Sequence, residues 1–351
     1  MRLYADAHAD TFYEAALNGF DPARDDSPLH INLARMRAAN QRIQVCSVFT
    51  PARYCGNEAT AFAHRIIDCI DANVKARPDA FSAWHGRPRP WRTGEETPDM
   101  GEGAHATTAI ALIPWLEGAS PLAGDLALLD AFYARGVRGI GLTHNHRNEV
   151  ADGCGCAEPR KGLTRFGRAL VERMEELHVA VDCAHLPQPA FGEVMAMIKR
   201  PPCISHTGCR ALVGITRNAD DEMLRAIAQR DGFVGIDFYP GHVLENAFAQ
   251  SARRATCDDI AAHVLHAINV CGIEHVGFGS DFDGFADTCE DLRHLGDLPN
   301  LERALRARGL NDAALERVFG LNLLEYLERA IQSPGGHAGA TRSVSAGIAH
   351  S

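Results

Sequence analysis

The sequence predicts an α/β fold, a single closed (β/α)8 barrel of the TIM type over residues 1–332, and three observations carry that reading. Eight short apolar runs of strand length recur along the chain, and each is followed by a longer segment. The longer segments space their apolar residues as helices do, so strand and helix alternate. The runs also read as strands buried on both faces. Eight of those with helical returns fit a closed barrel better than an open doubly wound sheet.

Taken in order, RLYADAH (2–8) opens the series and IQVCSVF (43–49) follows it. An insertion rich in proline, glycine and charge, residues 77–103, precedes TAIALIPW (108–115). VRGIGLTH (137–144), VAVDCAH (179–185), PCISH (202–206), FVGIDFY (233–239) and HVGFGSDF (275–282) complete the eight. Helical spacing is clearest in GRALVERMEELH (167–178), DDEMLRAIAQRDG (220–232) and DDIAAHVLHAINVCG (258–272). Residues 333–351 are expected to form a flexible tail. No internal repeat or second domain is visible.

Composition narrows the partner. The 351 residues carry a formal net charge of -10 without a long lysine or arginine run, which argues against nucleic acid and against an anionic membrane surface. A small molecule is the expected partner. No apolar run approaches the roughly 18 residues of a membrane span, and the basic and apolar regions of a signal peptide are missing, so a cytoplasmic location is expected. The eleven cysteines are odd in number and scattered, which does not describe a disulfide framework. Cys46, Cys183 and Cys203 read as core residues, and Cys154 and Cys156 as part of a glycine-rich loop.

Reactive groups of a barrel stand at the carboxyl ends of its strands. There the sequence places His8, Asp10, Glu117, His144, His185, His206 and Asp281. Residues two apart on a strand share a face, so His8 and Asp10 can reach one point above the barrel axis, with Asp6 one layer deeper as support. Taken alone, His-Ala-Asp favours a histidine satisfied by hydrogen bonds at a strand end. Four histidines and three carboxylates at one end are harder to leave unpaired, because burying so much charge is costly. Zn²⁺ suits mixed imidazole and carboxylate donors, and the donors exceed one tetrahedral shell.

The ordered motifs HAD (8–10), LEGA (116–119), LTHNHRNEVADG (142–153), GLTRFG (162–167), VDCAH (181–185), ISHTG (204–208), TRN (216–218) and GFGSDFDG (277–284) resemble the membrane (renal) dipeptidase family, peptidase family M19 of the amidohydrolase superfamily. The resemblance runs from about Leu3 to about Ala330 and points to a short, soluble microbial member. It implies a zinc-dependent dipeptidase with two Zn²⁺ ions bridged by Glu117 and a water or hydroxide. His8 and Asp10 would hold one ion, and His185 and His206 the other. Asp281 would be the acid/base carboxylate, and His144 would stand beside the metals and stabilise the oxyanion. Arg217 would meet the substrate carboxylate, with Tyr239 as the nearest candidate for a tyrosine that joins it. A homodimer is also implied.

The family's EGGH-like turn is EGAS here, which bears on substrate choice. Dipeptides, including those with a D-residue at the carboxyl-terminal position, are the expected substrates. N-acyl amino acids, cyclic amides and lactones are the alternative, since metal-assisted attack suits any of these carbonyls. From the residues alone, Arg217 is as well read as a surface arginine. The glycines of GFGSDFDG could suggest a phosphate loop, but Asp281 and Asp283 oppose an anion, so close backbone approach is the better reason for them.

Overall fold

The computed structural model describes residues 2–84, 109–158, 160–249 and 253–331. The expected tail and most of the 77–103 insertion lie outside the described residues. Among the described residues nine strands are formed: β1 (Tyr4–Ala9), β2 (Gln41–Phe49), β3 (Phe81–Ala83), β4 (Ile110–Glu117), β5 (Gly139–Gly141), β6 (Ala180–Asp182), β7 (Cys203–Thr207), β8 (Phe233–Ile236) and β9 (Val276–Phe278). All pairings are parallel, and eight strands run β1-β2-β4-β5-β6-β7-β8-β9 around the barrel.

Two sequence expectations are corrected. The insertion holds a strand, β3, which pairs with Ile110–Leu112 of β4 beside the barrel path. Phe81 and Trp84 bury their rings there, so this short apolar stretch behaves as sheet and not as loop. The strands β5, β6 and β9 are also shorter than predicted. His144, His185 and Asp281 stand three residues beyond them, in turns, with φ of 63° at His185 and 59° at Asp281. Left-handed backbone cannot continue a ladder, so neither β6 nor β9 can run on through its polar residue.

The seam between β9 and β1 closes through side chains as well as backbone. Ala9 bridges Phe282, and the Asp281 N–H donates to the His8 carbonyl at 3.0 Å. Beneath them the buried Asp6 carboxylate accepts from Ser280 N at 2.8 Å, Ser280 Oγ at 2.7 Å and His8 N at 3.2 Å. Burial pushes Asp6 up to about 6, against these bonds that pull it down. The support expected of Asp6 is therefore a lock across the seam, and it holds β1 and the Asp281 turn at one height.

The clearest predicted helices form at Arg165–Leu177, Asp221–Ala228 and Cys257–Cys271. Each starts on a side-chain cap: Thr164 accepts from Gly167 N, Asp220 from Met223 N, and Thr256 exchanges bonds with Asp259 as a capping box. Their apolar faces, including Leu170, Met174, Leu224, Ile260 and Val264, pack in the main core with strand residues such as Ile204 and Val234. A second cluster joins Ala5, Ile43, Ile113, Trp115 and Phe233 of the strands to Leu323 and Leu327 of the helix Asn322–Ile331. Trp115 is accommodated by glycine, since a Cβ at Gly139 would lie 2.1 Å from its ring. Among the described residues no helix is long and apolar enough to cross a membrane.

Two histidines, His263 buried and His30 half-buried, give the fold a pH dependence. Burial pulls His30 and His263 down to about 4, and each uses Nδ1 as an acceptor, from Asp283 N at 3.1 Å and from Cys209 N at 2.8 Å. Unfolded histidine takes a proton near pH 6.5, so the stability these residues contribute is present above that value and is lost as pH falls toward 4. By pH 5 the loss from His263 is expected to be roughly 2 kcal/mol. Urea unfolding at pH 7 and pH 5 of wild type and His263→Gln, which retains an acceptor, measures it: the difference between the two pH values should shrink in the variant. Equal differences in both proteins would remove His263 from this account.

Candidate active site

The carboxyl ends of the strands bring the predicted residues into one basin. His8 lies within β1 and Asp10 one residue past it, where it precedes the helix Thr11–Asn18. Strand alternation aims both side chains the same way. Glu117 is the last residue of β4, and His206 is the last but one of β7. His144, His185 and Asp281 arrive from their turns.

Glu117 is the centre of this cluster. Its Oε2 lies 3.5 Å from His8 Nε2, and its Oε1 lies 3.2 Å from His185 Nε2, 3.6 Å from His206 Nε2 and 3.8 Å from His144 Nε2. His8 Nε2 is also 3.7 Å from Asp10 Oδ2 and 3.7 Å from Asp281 Oδ1. One carboxylate thus turns an oxygen toward each of two imidazole groups. Two rings and the carboxylate have further partners: Ser205 Oγ is 2.9 Å from His206 Nδ1, Asn145 Oδ1 is 2.9 Å from His185 Nδ1, and Ser47 Oγ donates to Glu117 Oε2 at 2.9 Å.

The donor set fits metal ions. Both ring nitrogens of His8 and Oδ1 of Asp10 are buried without a hydrogen-bond partner, a costly arrangement unless a cation lies among them. Among the described residues three groups of donor atoms gather within 4.8 Å: His8, His206 and Asp281; Glu117, His144 and His185; His8, Asp10 and Glu117. His185 Nε2 and His206 Nε2 face each other at 3.0 Å, which also calls for a proton or a cation between them.

Burial opposes charge on His8, yet Glu117 and Asp10 hold it well above its ordinary range. Burial drives His185 and His206 well below theirs, helped by Arg217 and, for His206, by His8. Asp281 is raised well above the usual carboxylate range by burial; His8 pulls it down, while Asp10, Asp237 and Glu117 push it further up. A carboxyl so placed is suited to carry a proton. His144 is lowered by burial, with Glu117 opposing.

A cavity of about 690 Å³ opens above the cluster, lined by eight of the nine predicted site residues, with His8 buried behind them. Arg217 donates to the His206 carbonyl at 2.9 Å, and its Nε and Nη1 are buried without a partner. That settles its placement in the basin and not on the surface. Tyr239 also lines the cavity, its ring 5.4 Å from that of Phe285. Gly284 bears out the close-approach reading of its motif, since a Cβ there would lie 2.6 Å from Asp10 Oδ2. Asp283 is a structural carboxylate that accepts from Thr11 Oγ1 at 2.6 Å.

Sequence reasoning missed Asp237 and His242. Asp237 follows β8 directly, is fully buried, and its Oδ2 lies 2.7 Å from Nδ1 of His242, which lines the cavity. The signal was present, a carboxylate at the end of the 233–239 run, as on the other strands. Asn145, Ser47 and Ser205 carried no signal, because their partners lie on other elements.

The family model for membrane dipeptidase, peptidase family M19, matches residues 2–334. The dipeptidase aclJ of Aspergillus oryzae is 33% identical over 224 residues, 64% of this chain and 52% of that protein. An uncharacterised protein of the pqqA 5' region of Klebsiella pneumoniae is 32% identical over 232 residues, 64% of this chain and 83% of that protein. The chain spans about half the length of several of the curated dipeptidases it matches. A solved M19 metallopeptidase, dipeptidase AC, superposes with a TM-score of 0.83 at 24% identity, over 95% of this chain and 99% of the other. A Rhodobacter sphaeroides metallopeptidase liganded with a phosphinate mimic of L-Ala-D-Ala gives 0.81 at 23%, over 94% and 99%. These two structures share the barrel fold.

Proposed function

Because the chain belongs to peptidase family M19, the membrane dipeptidase family, we propose that it is a zinc-dependent dipeptidase that cleaves short peptides bearing a free carboxyl end. The single observation that carries this reading is Glu117, with one oxygen toward His8 and the other toward His185 and His206. In this reading His8 and Asp10 would hold one Zn²⁺, His185 and His206 would hold a second, and Glu117 would serve both. Bound there, the metals would polarise the scissile carbonyl and make water a nucleophile at neutral pH.

The protein's own groups do the rest. Asp281 takes the proton of the attacking water and delivers it to the leaving amine. His144 reaches into the cavity and stabilises negative charge as it develops on the carbonyl oxygen. Arg217 keeps N–H donors on its unpartnered Nε and Nη1 for the substrate carboxylate, with Tyr239 on the same wall. Asp281 also pairs with the substrate's amino group, which limits the enzyme to short peptides. A cytoplasmic location belongs to the same reading, and the free thiols of all eleven cysteines agree with it.

The test is a dipeptide panel, including D-residues at the carboxyl-terminal position, run beside N-acyl amino acids, cyclic amides and lactones, before and after chelation. Chelator-sensitive hydrolysis of dipeptides supports the proposal. Turnover confined to the other substrates would replace it with the broader amidohydrolase reading. Arg217→Met should lower kcat/KM for a dipeptide by about 100-fold, the size of a lost charge-assisted pair. For a dipeptide amide without the free carboxylate, wild type and variant should differ by no more than a few-fold. An equal fall on both substrates would take Arg217 out of carboxylate binding.

A further inference from the structure

The GCGC stretch, residues 153–156, has no part in the chemistry above, yet it is packed against the His185 turn. Cys154 is buried, and its backbone N–H donates to the His185 carbonyl at 2.9 Å. Gly155 N donates to the Asn145 carbonyl at 2.9 Å, and Thr216 Oγ1 to the Cys154 carbonyl at 3.2 Å. A Cβ on Gly153 would lie 2.0 Å from the His144 carbonyl oxygen, and one on Gly155 2.8 Å from that of Asn145. Both glycines are needed for the loop to lie this close.

Between loop and metal centre stands Asn145. Its Oδ1 lies 2.9 Å from His185 Nδ1 and accepts from Cys154 Sγ at 3.2 Å. The backbone of His185 is left-handed and three residues past β6, so no ladder orients this ring. We propose that Asn145 and Cys154 are positioning residues that set the ring of His185 for metal binding. The amide oxygen accepts a hydrogen bond from Nδ1–H, which leaves the Nε2 lone pair directed at the space beside Glu117 Oε1, 3.2 Å away. The Cys154 thiol donates to the same oxygen and keeps the amide from turning its NH₂ group toward the imidazole. Partners of this kind behind a ligating histidine typically contribute 10- to 100-fold in metal affinity.

The inference rests on the reading of His185 as a zinc ligand, and the experiment separates the two. The full chain is stripped of metal and titrated with Zn²⁺ against a chromophoric chelator, with ions per chain counted by elemental analysis. Wild type tests the underlying reading: two ions support it, and none overturns both claims. With two ions in wild type, Asn145→Leu should weaken one of them by 10- to 100-fold and leave the other unchanged. Asn145→Asp, which keeps the acceptor, should retain both within a few-fold. Cys154→Ala should weaken the same ion by a few-fold, and Cys154→Ser, which keeps a donor, should restore it. That pair carries the test if Asn145→Leu fails to fold. Wild-type affinity in Asn145→Leu, equal losses in Asn145→Leu and Asn145→Asp, or identical behaviour of the two Cys154 variants would overturn the proposal.

Discussion

Asp281→Asn is expected to lower dipeptide turnover by about 10³-fold, within the range for loss of a general acid–base group, while metal content stays near that of wild type. Asparagine is the informative replacement. Asp281 has a φ of 59°, a conformation that asparagine adopts more readily than alanine, and its backbone bond to His8 is retained. Shape is preserved and only the proton-carrying oxygen is lost. Its own burial, with the carboxyls of Asp10, Asp237 and Glu117 nearby, raises it above the usual carboxylate range and is the reason to assign it that proton. Metal analysis of the same sample separates the alternatives: loss of an ion along with activity would make Asp281 a ligand, as its place near His8 and His206 allows. Turnover within tenfold of wild type would end its catalytic role. If wild type and variant hydrolyse nothing and bind one ligand alike, the protein is a metal-stabilised binding protein.

Glu117→Gln is expected to do more, removing both ions and bringing hydrolysis to background. The amide matches the carboxylate in size and can still accept from Ser47, whose bond to Oε2 is 2.9 Å. It lacks the charge that faces His8 on one side and His185 and His206 on the other. The fall in Zn²⁺ affinity should exceed the roughly 10- to 100-fold typical of an outer partner, because the donor itself is lost. The measurement is ions per chain after equilibration at a fixed free Zn²⁺, with circular dichroism to establish that the barrel has formed. Loss of a single ion would show that Glu117 serves only one site. Retention of both would remove it from the centre altogether.

Local periodicity and long-range contact divide the determination of this protein between them. Alternation along a strand needs no knowledge of neighbours, so the chain alone determined that eight apolar runs form parallel strands, that His8 and Asp10 share a face, and that Glu117 and His206 stand at strand ends. The folded molecule decided the rest. His144, His185 and Asp281 lie in turns whose backbone no ladder dictates, and bonds to distant segments hold them: Asp281 N to the His8 carbonyl, Thr143 Oγ1 and Cys154 N to the His185 carbonyl. Arg217 read equally well as a surface residue until the cavity wall placed two of its nitrogens inside. The Asp6–Ser280 lock joins residues 274 positions apart, the Asn145–His185 contact spans 40, and β3 depended on a free stretch of the β4 edge. A single sequence carries no term for such pairings, because each partner's orientation exists only after the barrel closes.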